Sequence, residues 1–196
     1  MKLEPLFKSE GNALFLIAGN VPLRTMPAPS VPLEQVAAAS GGADAADGAA
    51  ALERVYAVVL PRPAVELSPG TYNEEALAVL RADLKRAEER GAAVFFVPAA
   101  GGALDSADDA AAWISALVHA ARRIKDCANV VGFAVPPEFL AKDAAAGLGA
   151  DSWSRWFADE LSVKHGQYLY FADADVVHQN ALDAEVAKTD FILYKM

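Results

Sequence analysis

The sequence predicts an α/β fold in which about six parallel strands alternate with helices. Three observations carry this. Short apolar runs rich in β-branched and aromatic residues recur along the chain, among them Val55–Leu60 (VYAVVL), Ala93–Val97 (AVFFV) and Val130–Val135 (VVGFAV). The stretches between them repeat apolar residues at helical spacing. Connections that long, with a helix inside them, join parallel strands rather than hairpins. Right-handed crossovers then give either an open doubly wound sheet or a curved segment of a (βα) barrel, and no internal repeat separates the two.

The elements follow in order. Leu14–Ala18 is read as the first strand, closing on Gly19-Asn20, and a proline-rich loop follows (Pro22, Pro27, Pro29, Pro32). Residues 31–52 are rich in Ala, Gly and Asp. Part of that stretch is predicted to be helix, starting near Ser30 or Pro32, with residues 40–48 a mobile loop or helix break at Gly41-Gly42. Val55–Leu60 is the second strand, stopped by Pro61 and Pro63, and Pro69-Gly70 predicts a turn. Asn73 is an N-cap with Glu74 and Glu75 in the first turn; Leu77, Leu80, Leu84 and Ala87 share a face, and Gly91 closes the helix.

Ala93–Val97 is the third strand, ended by Pro98. Asp105 or Ser106 caps the next helix, whose buried stripe is Trp113, Ile114, Leu117, Val118, Ala121 and Ile124. Val130–Val135 is the fourth strand and breaks at Pro136-Pro137, since proline has no N–H for the ladder. Asp151 caps a helix in which Trp153, Trp156, Phe157 and Leu161 share one face, and the tryptophans read as core packing. Tyr168–Phe171 is the fifth strand, Asn180–Ala187 a short helix and Phe191–Tyr194 the sixth strand.

A chain of 196 residues, 54% of them hydrophobic, suits one domain spanning 1–196 with a substantial core. The formal net charge of −9 leaves no basic surplus to neutralise phosphates, so neither nucleic acid nor an anionic membrane is expected as a partner. Cys127 is the single cysteine, which excludes an internal disulfide and reads as a structural thiol. The apolar run Ala13–Ala18 is too short for a signal peptide and follows Glu4 and Glu10; no stretch approaches the roughly 20 apolar residues of a membrane span. The expectation is a soluble, cytoplasmic protein.

Glu138 stands just past the end of the fourth strand, where βα architectures place their chemistry, although an ordinary loop glutamate would look the same. Asp173 and Asp175 follow the fifth strand, on the same side of the sheet, and Glu66 follows the second. Asp173, Asp175 and His178 could converge on a divalent cation, but that spacing is common by chance in acidic loops and reads as a solvated loop. Gly101-Gly102 and Gly147-Leu148-Gly149 lack the spacing and lysine of a phosphate loop. The reading carries no metal and no cofactor.

Several segments, in order, resemble the cellulase-type glycoside hydrolases of family five, (βα)8 barrels. Ile17-Ala18-Gly19-Asn20 is similar to their first-strand segment, Val58-Val59-Leu60-Pro61 to the second strand, and Leu84–Gly91 with Ala93-Val94-Phe95-Phe96 to the helix, glycine and third strand. Lys125 and Asn129–Phe133 resemble the approach to the fourth strand, where Pro137-Glu138-Phe139 falls on the family's Asn-Glu-Pro; residues 188–196 resemble the sixth strand.

The resemblance implies an incomplete, truncated TIM-barrel-like arrangement with Glu138 on the acid/base position. It also implies losses: Val59 replaces the second-strand arginine, Pro98-Ala99-Ala100 offers no histidine, Pro137 replaces the asparagine, and the nucleophile's seventh strand would lie beyond Met196. These enzymes need two carboxyl groups, roughly 5 Å apart for retention and 6.5–9.5 Å for inversion. The expected function is therefore a degenerate binding or assembly module, with a saccharide cleft drawing on Asn20, Tyr72, Glu138 and His178. The alternatives are a glycosidase using Glu138 with Asp173 or Asp175, and a purely structural subunit. The open edge of the last strand predicts a homo-oligomer or a protein partner.

Overall fold

The computed structural model describes residues 4–18, 21–25 and 54–195. Asn20, the expected helix in residues 31–52 and the loop at 40–48 lie outside the described residues. The chain opens with a hairpin, β1 (Phe7–Glu10) and β2 (Ala13–Leu16), turned at Gly11 with φ 58°. Then come β3 (Val21–Thr25), β4 (Arg54–Pro61), the one-turn helix α1 (Arg62–Val65), and the small pair β5 (Glu66–Ser68) and β6 (Thr71–Tyr72). The rest alternates: α2 (Glu74–Glu89), β7 (Ala93–Ala99), α3 (Ala107–Arg123), β8 (Val130–Ala134), α4 (Pro137–Asp143), α5 (Trp153–Lys164), β9 (Leu169–Asp173), α6 (Ala174–Gln179), α7 (Asp183–Val186) and β10 (Ile192–Tyr194).

The main sheet has the order β1-β2-β3-β4-β7-β8-β9-β10. Every pairing from β3 to β10 is parallel, as expected, and the first two are antiparallel. Local signals explain much of it. Asn73 accepts the Ala76 N–H, and Ser106 rather than Asp105 accepts that of Asp109, so both helices start on a side-chain cap. Ser152, not Asp151, caps α5. The buried Asp143 carboxylate accepts the N–H groups of Trp153 and Ser154 and ties α4 to the start of α5. Both tryptophans of α5 pack half-buried against the core, as the sequence suggests.

Two strand readings are corrected. The segment around Leu14 is not the first parallel strand but the second arm of the hairpin, and it ends at Leu16. The first parallel strand is β3, in what reads as a proline-rich loop: Pro22 faces Phe15 on β2, while Arg24 and Thr25 pair with Arg54 and Val55. Pro98 does not end β7, because it sits opposite Leu60 where β8 no longer pairs.

The sheet is buried on both faces. Tyr56, Val58, Leu60, Val94, Phe96 and Phe133 meet the helices. Val55, Ala57, Phe95, Val97, Phe171 and Tyr194 form a second core with Phe7 and Leu14 of the hairpin. That second core shows the curvature. In a flat sheet β7 and β10 would stand about 14 Å apart, three strand spacings, yet the rings of Phe95 and Tyr194 meet edge to face at 5.0 Å and Phe95 stacks on Phe171 at 4.1 Å. The sheet therefore curls as a (βα) barrel does. The hairpin lies toward the far end of the curl: β1 touches β9, and the Leu193 N–H donates to Asn12 Oδ1 at 3.2 Å. Among the described residues no helix is long and apolar enough to cross a membrane.

Candidate functional site

The carboxyl ends of the parallel strands form a rim. On it β4 runs directly into α1, where Arg62 Nε donates to Glu66 Oε1 at 2.7 Å and the Arg62 guanidinium lies 5.5 Å from the Trp113 ring centroid. Glu66 Oε2 and Trp113 Nε1 are buried without a partner among the described residues. Arg62 escapes the sequence reading; the visible signal is its i, i+4 spacing to Glu66.

Glu138 sits at this rim, as the Pro136-Pro137 break predicts. Pro137 takes the first helical position of α4, so Glu138 follows in its first turn. One carboxylate oxygen accepts the Ala100 N–H, just past β7, at 3.0 Å; the other is buried and has no donor among the described residues. Glu138 thus joins the rims of β7 and β8.

The other acids are engaged differently. Asp173 ends β9 and caps α6: its Oδ1 accepts from Asp175 N at 2.9 Å and Val176 N at 3.2 Å. Asp175 is exposed and 3.6 Å from Lys195. Tyr194, opposite Asp173 in the β9–β10 register, is buried, and burial together with the Asp173 carboxylate pushes its hydroxyl above the usual range. Strands β8 and β9 are hydrogen-bonded neighbours, so Glu138 and Asp173 occupy adjacent positions around the rim. His178 points elsewhere: its ring is exposed, 3.6 Å from Asp183. Among the described residues no three His, Cys, Asp or Glu side chains are placed to hold a metal ion. Burial pushes the Cys127 thiol up to about 11.

Tyr72 is placed by a ring contact. Its ring stacks on His119 at 3.7 Å and lines a groove between α3 and α5 that Glu138, Asp173, Asp175 and His178 do not line. The buried His165 ring also borders that groove. Burial lowers its affinity for a proton, Lys125, Lys164 and Arg122 lower it further, and a hydrogen bond to the Val118 backbone opposes them. The unfolded chain therefore takes up the proton first as the pH falls through the ordinary value of 6.5. This part of the stability is complete above that pH and lost on acidification. Urea titrations at about pH 7.5 and 5.5 are expected to show a smaller acid loss in His165→Gln than in the parent chain; equal losses would contradict this.

No protein-family model matches the sequence, and no curated protein does. Solved structures resemble it in fold. A GH5_18 protein from Bifidobacterium longum subsp. infantis is similar over 71% of this chain and 37% of its own, at 14% identity and a TM-score of 0.49. A GH5_18 variant from Streptomyces cattleya, in complex with Manβ1-4GlcNAc, is similar over 77% and 43%, at 16% identity and a TM-score of 0.51. The exo-β-1,4-mannosidase Op5Man5 from Opitutaceae bacterium strain TAV5 is similar over 61% and 25%, at 18% identity and a TM-score of 0.46. The Streptomyces likeness supports a glycoside-hydrolase-like barrel fold. The chain spans less than half the length of each of these three structures.

Proposed function

We propose that this glycoside-hydrolase-like domain binds a saccharide at its carboxyl rim, with Glu138 as an acceptor, and does not hydrolyse it. The observation that carries this reading is the Asp173 cap. An oxygen holding two backbone N–H groups of α6 is committed to structure, and the carboxylate of Asp175 faces Lys195. A retaining or inverting hydrolase needs a second carboxylate free to act as nucleophile or base. The competing reading, a glycosidase using Glu138 as acid/base with Asp173 or Asp175, draws support from the rim position of Glu138 and its buried second oxygen. An assembly role would use the sheet edges, and there the Leu193 N–H is already bonded to Asn12.

Thermal melting with and without β-1,4-linked oligosaccharides, including Manβ1-4GlcNAc, tests the proposal beside an aryl-glycoside assay. A ligand at 100 times its Kd adds about 2.7 kcal/mol of stability. The expected result is a raised Tm, reduced in Glu138→Gln, without turnover. Turnover abolished by Glu138→Gln would replace the binding reading with the hydrolase, and no shift at millimolar saccharide would overturn it.

A further inference from the structure

Away from the rim, on the helical side of the sheet, α3 and α5 flank a groove of about 940 Å³. Ligand pockets typically span roughly 300–1,000 Å³, so the space suits a small molecule. Its α3 wall is one stripe at helical spacing, Ser115, Val118, His119 and Arg122, and Trp156 on α5 faces it half-buried. Two flat rings are therefore available. Trp156 is one; the other is Tyr72, held by its stack on His119 at an interplanar angle of 15°. His119 is itself fixed, with Nε2 2.9 Å from Glu74 and Nδ1 3.3 Å from Arg122.

The charge of the groove runs against that of the chain. Arg122, Lys125 and Lys164 line it against one acid, Glu160, a surplus of two positive charges on a chain of net charge −9. Glu160 stands 3.7 Å from Lys164. Arg122 and Lys125 have no carboxylate partner among the described residues, whereas nearby Arg123 pairs with Glu74 and Arg81 with Asp126. Cations at the end of α3 complement its dipole, and Arg122, with one guanidinium nitrogen on His119 Nδ1, keeps further N–H donors for an anion. A phosphomonoester carries about −1.5 to −2 charges near neutral pH, which matches the surplus.

We propose that this groove binds a phosphomonoester whose organic part offers a ring face for stacking, a sugar phosphate or a nucleoside monophosphate, with Arg122 and Lys125 at the phosphate and Tyr72 and Trp156 at the ring. The inference does not depend on the rim reading, because the two sites share no residue. Calorimetric titration of the whole chain at low salt, with glucose 6-phosphate, AMP, glucose and inorganic phosphate, tests it. Saturable binding of one or both phosphomonoesters is expected, at least tenfold tighter than inorganic phosphate or glucose. Binding of the sugar phosphate alone, or of AMP alone, identifies which source the groove takes. The double substitution Arg122→Ala and Lys125→Ala removes two exposed side chains. It should weaken that affinity at least tenfold while leaving the melting midpoint and the neutral-saccharide response of the rim in place. No saturable binding, equal affinity for inorganic phosphate, or an unchanged Kd in the folded double variant would each overturn the proposal.

Discussion

Gly132→Ala is expected to destabilise the chain by on the order of 3 kcal/mol or more. Gly132 lies in β8 opposite Leu169 of β9. A Cβ there would overlap the Leu169 carbonyl oxygen and come within 2.7 Å of its carbonyl carbon and 2.8 Å of its nitrogen. All three atoms are backbone, so no side chain can swing aside; the β8–β9 ladder itself must part. Glycine is needed here for close approach and not for a left-handed conformation, since Gly132 is not among the residues with positive φ. Urea unfolding would measure the loss, and a cost under about 1 kcal/mol would show that the strands are not held this tightly. Because Glu138 and Asp173 follow β8 and β9, the same substitution should also weaken any saccharide response of the rim.

Phe95→Ala should cost about 3–5 kcal/mol, the range for emptying a buried aromatic site. Phe95 is 1% exposed, stacked on Phe171 and met edge-on by Tyr194. It occupies the centre of the concave core, where residues from the hairpin and from both halves of the parallel sheet converge. Phe95→Leu keeps most of the apolar volume and should cost less than half as much. Comparable losses in the two variants would mean that ring stacking, not filled volume, holds the curl.

The parallel frame was legible because the central strands are continuous apolar runs, with proline at or near the ends of β4, β7 and β8, and because Asn73 and Ser106 announce their helices. The hairpin and β3 were not. Phe7–Glu10 and Val21–Thr25 are short and mixed in polarity, and only their neighbours in space make them strands. Helix α6 was read as acidic loop because an aspartate that caps a helix and one that binds a ligand look alike in sequence. The position of Glu138 was legible from the proline pair before it. Its bond to Ala100, the packing of Arg62 on Trp113 and the Tyr72–His119 stack join residues far apart in the chain, and no local pattern reports them.

The contact between Asn12 and Leu193 joins residues 181 positions apart. Few pairings in a chain of this size enclose a longer loop, and the entropy of closing such a loop must be met before the contact can reward it. During synthesis Phe7 and Leu14 are made well before Ile192 and Tyr194, which share their core. The nascent chain thus carries an apolar ribbon uncovered until the strand that shelters it has been made.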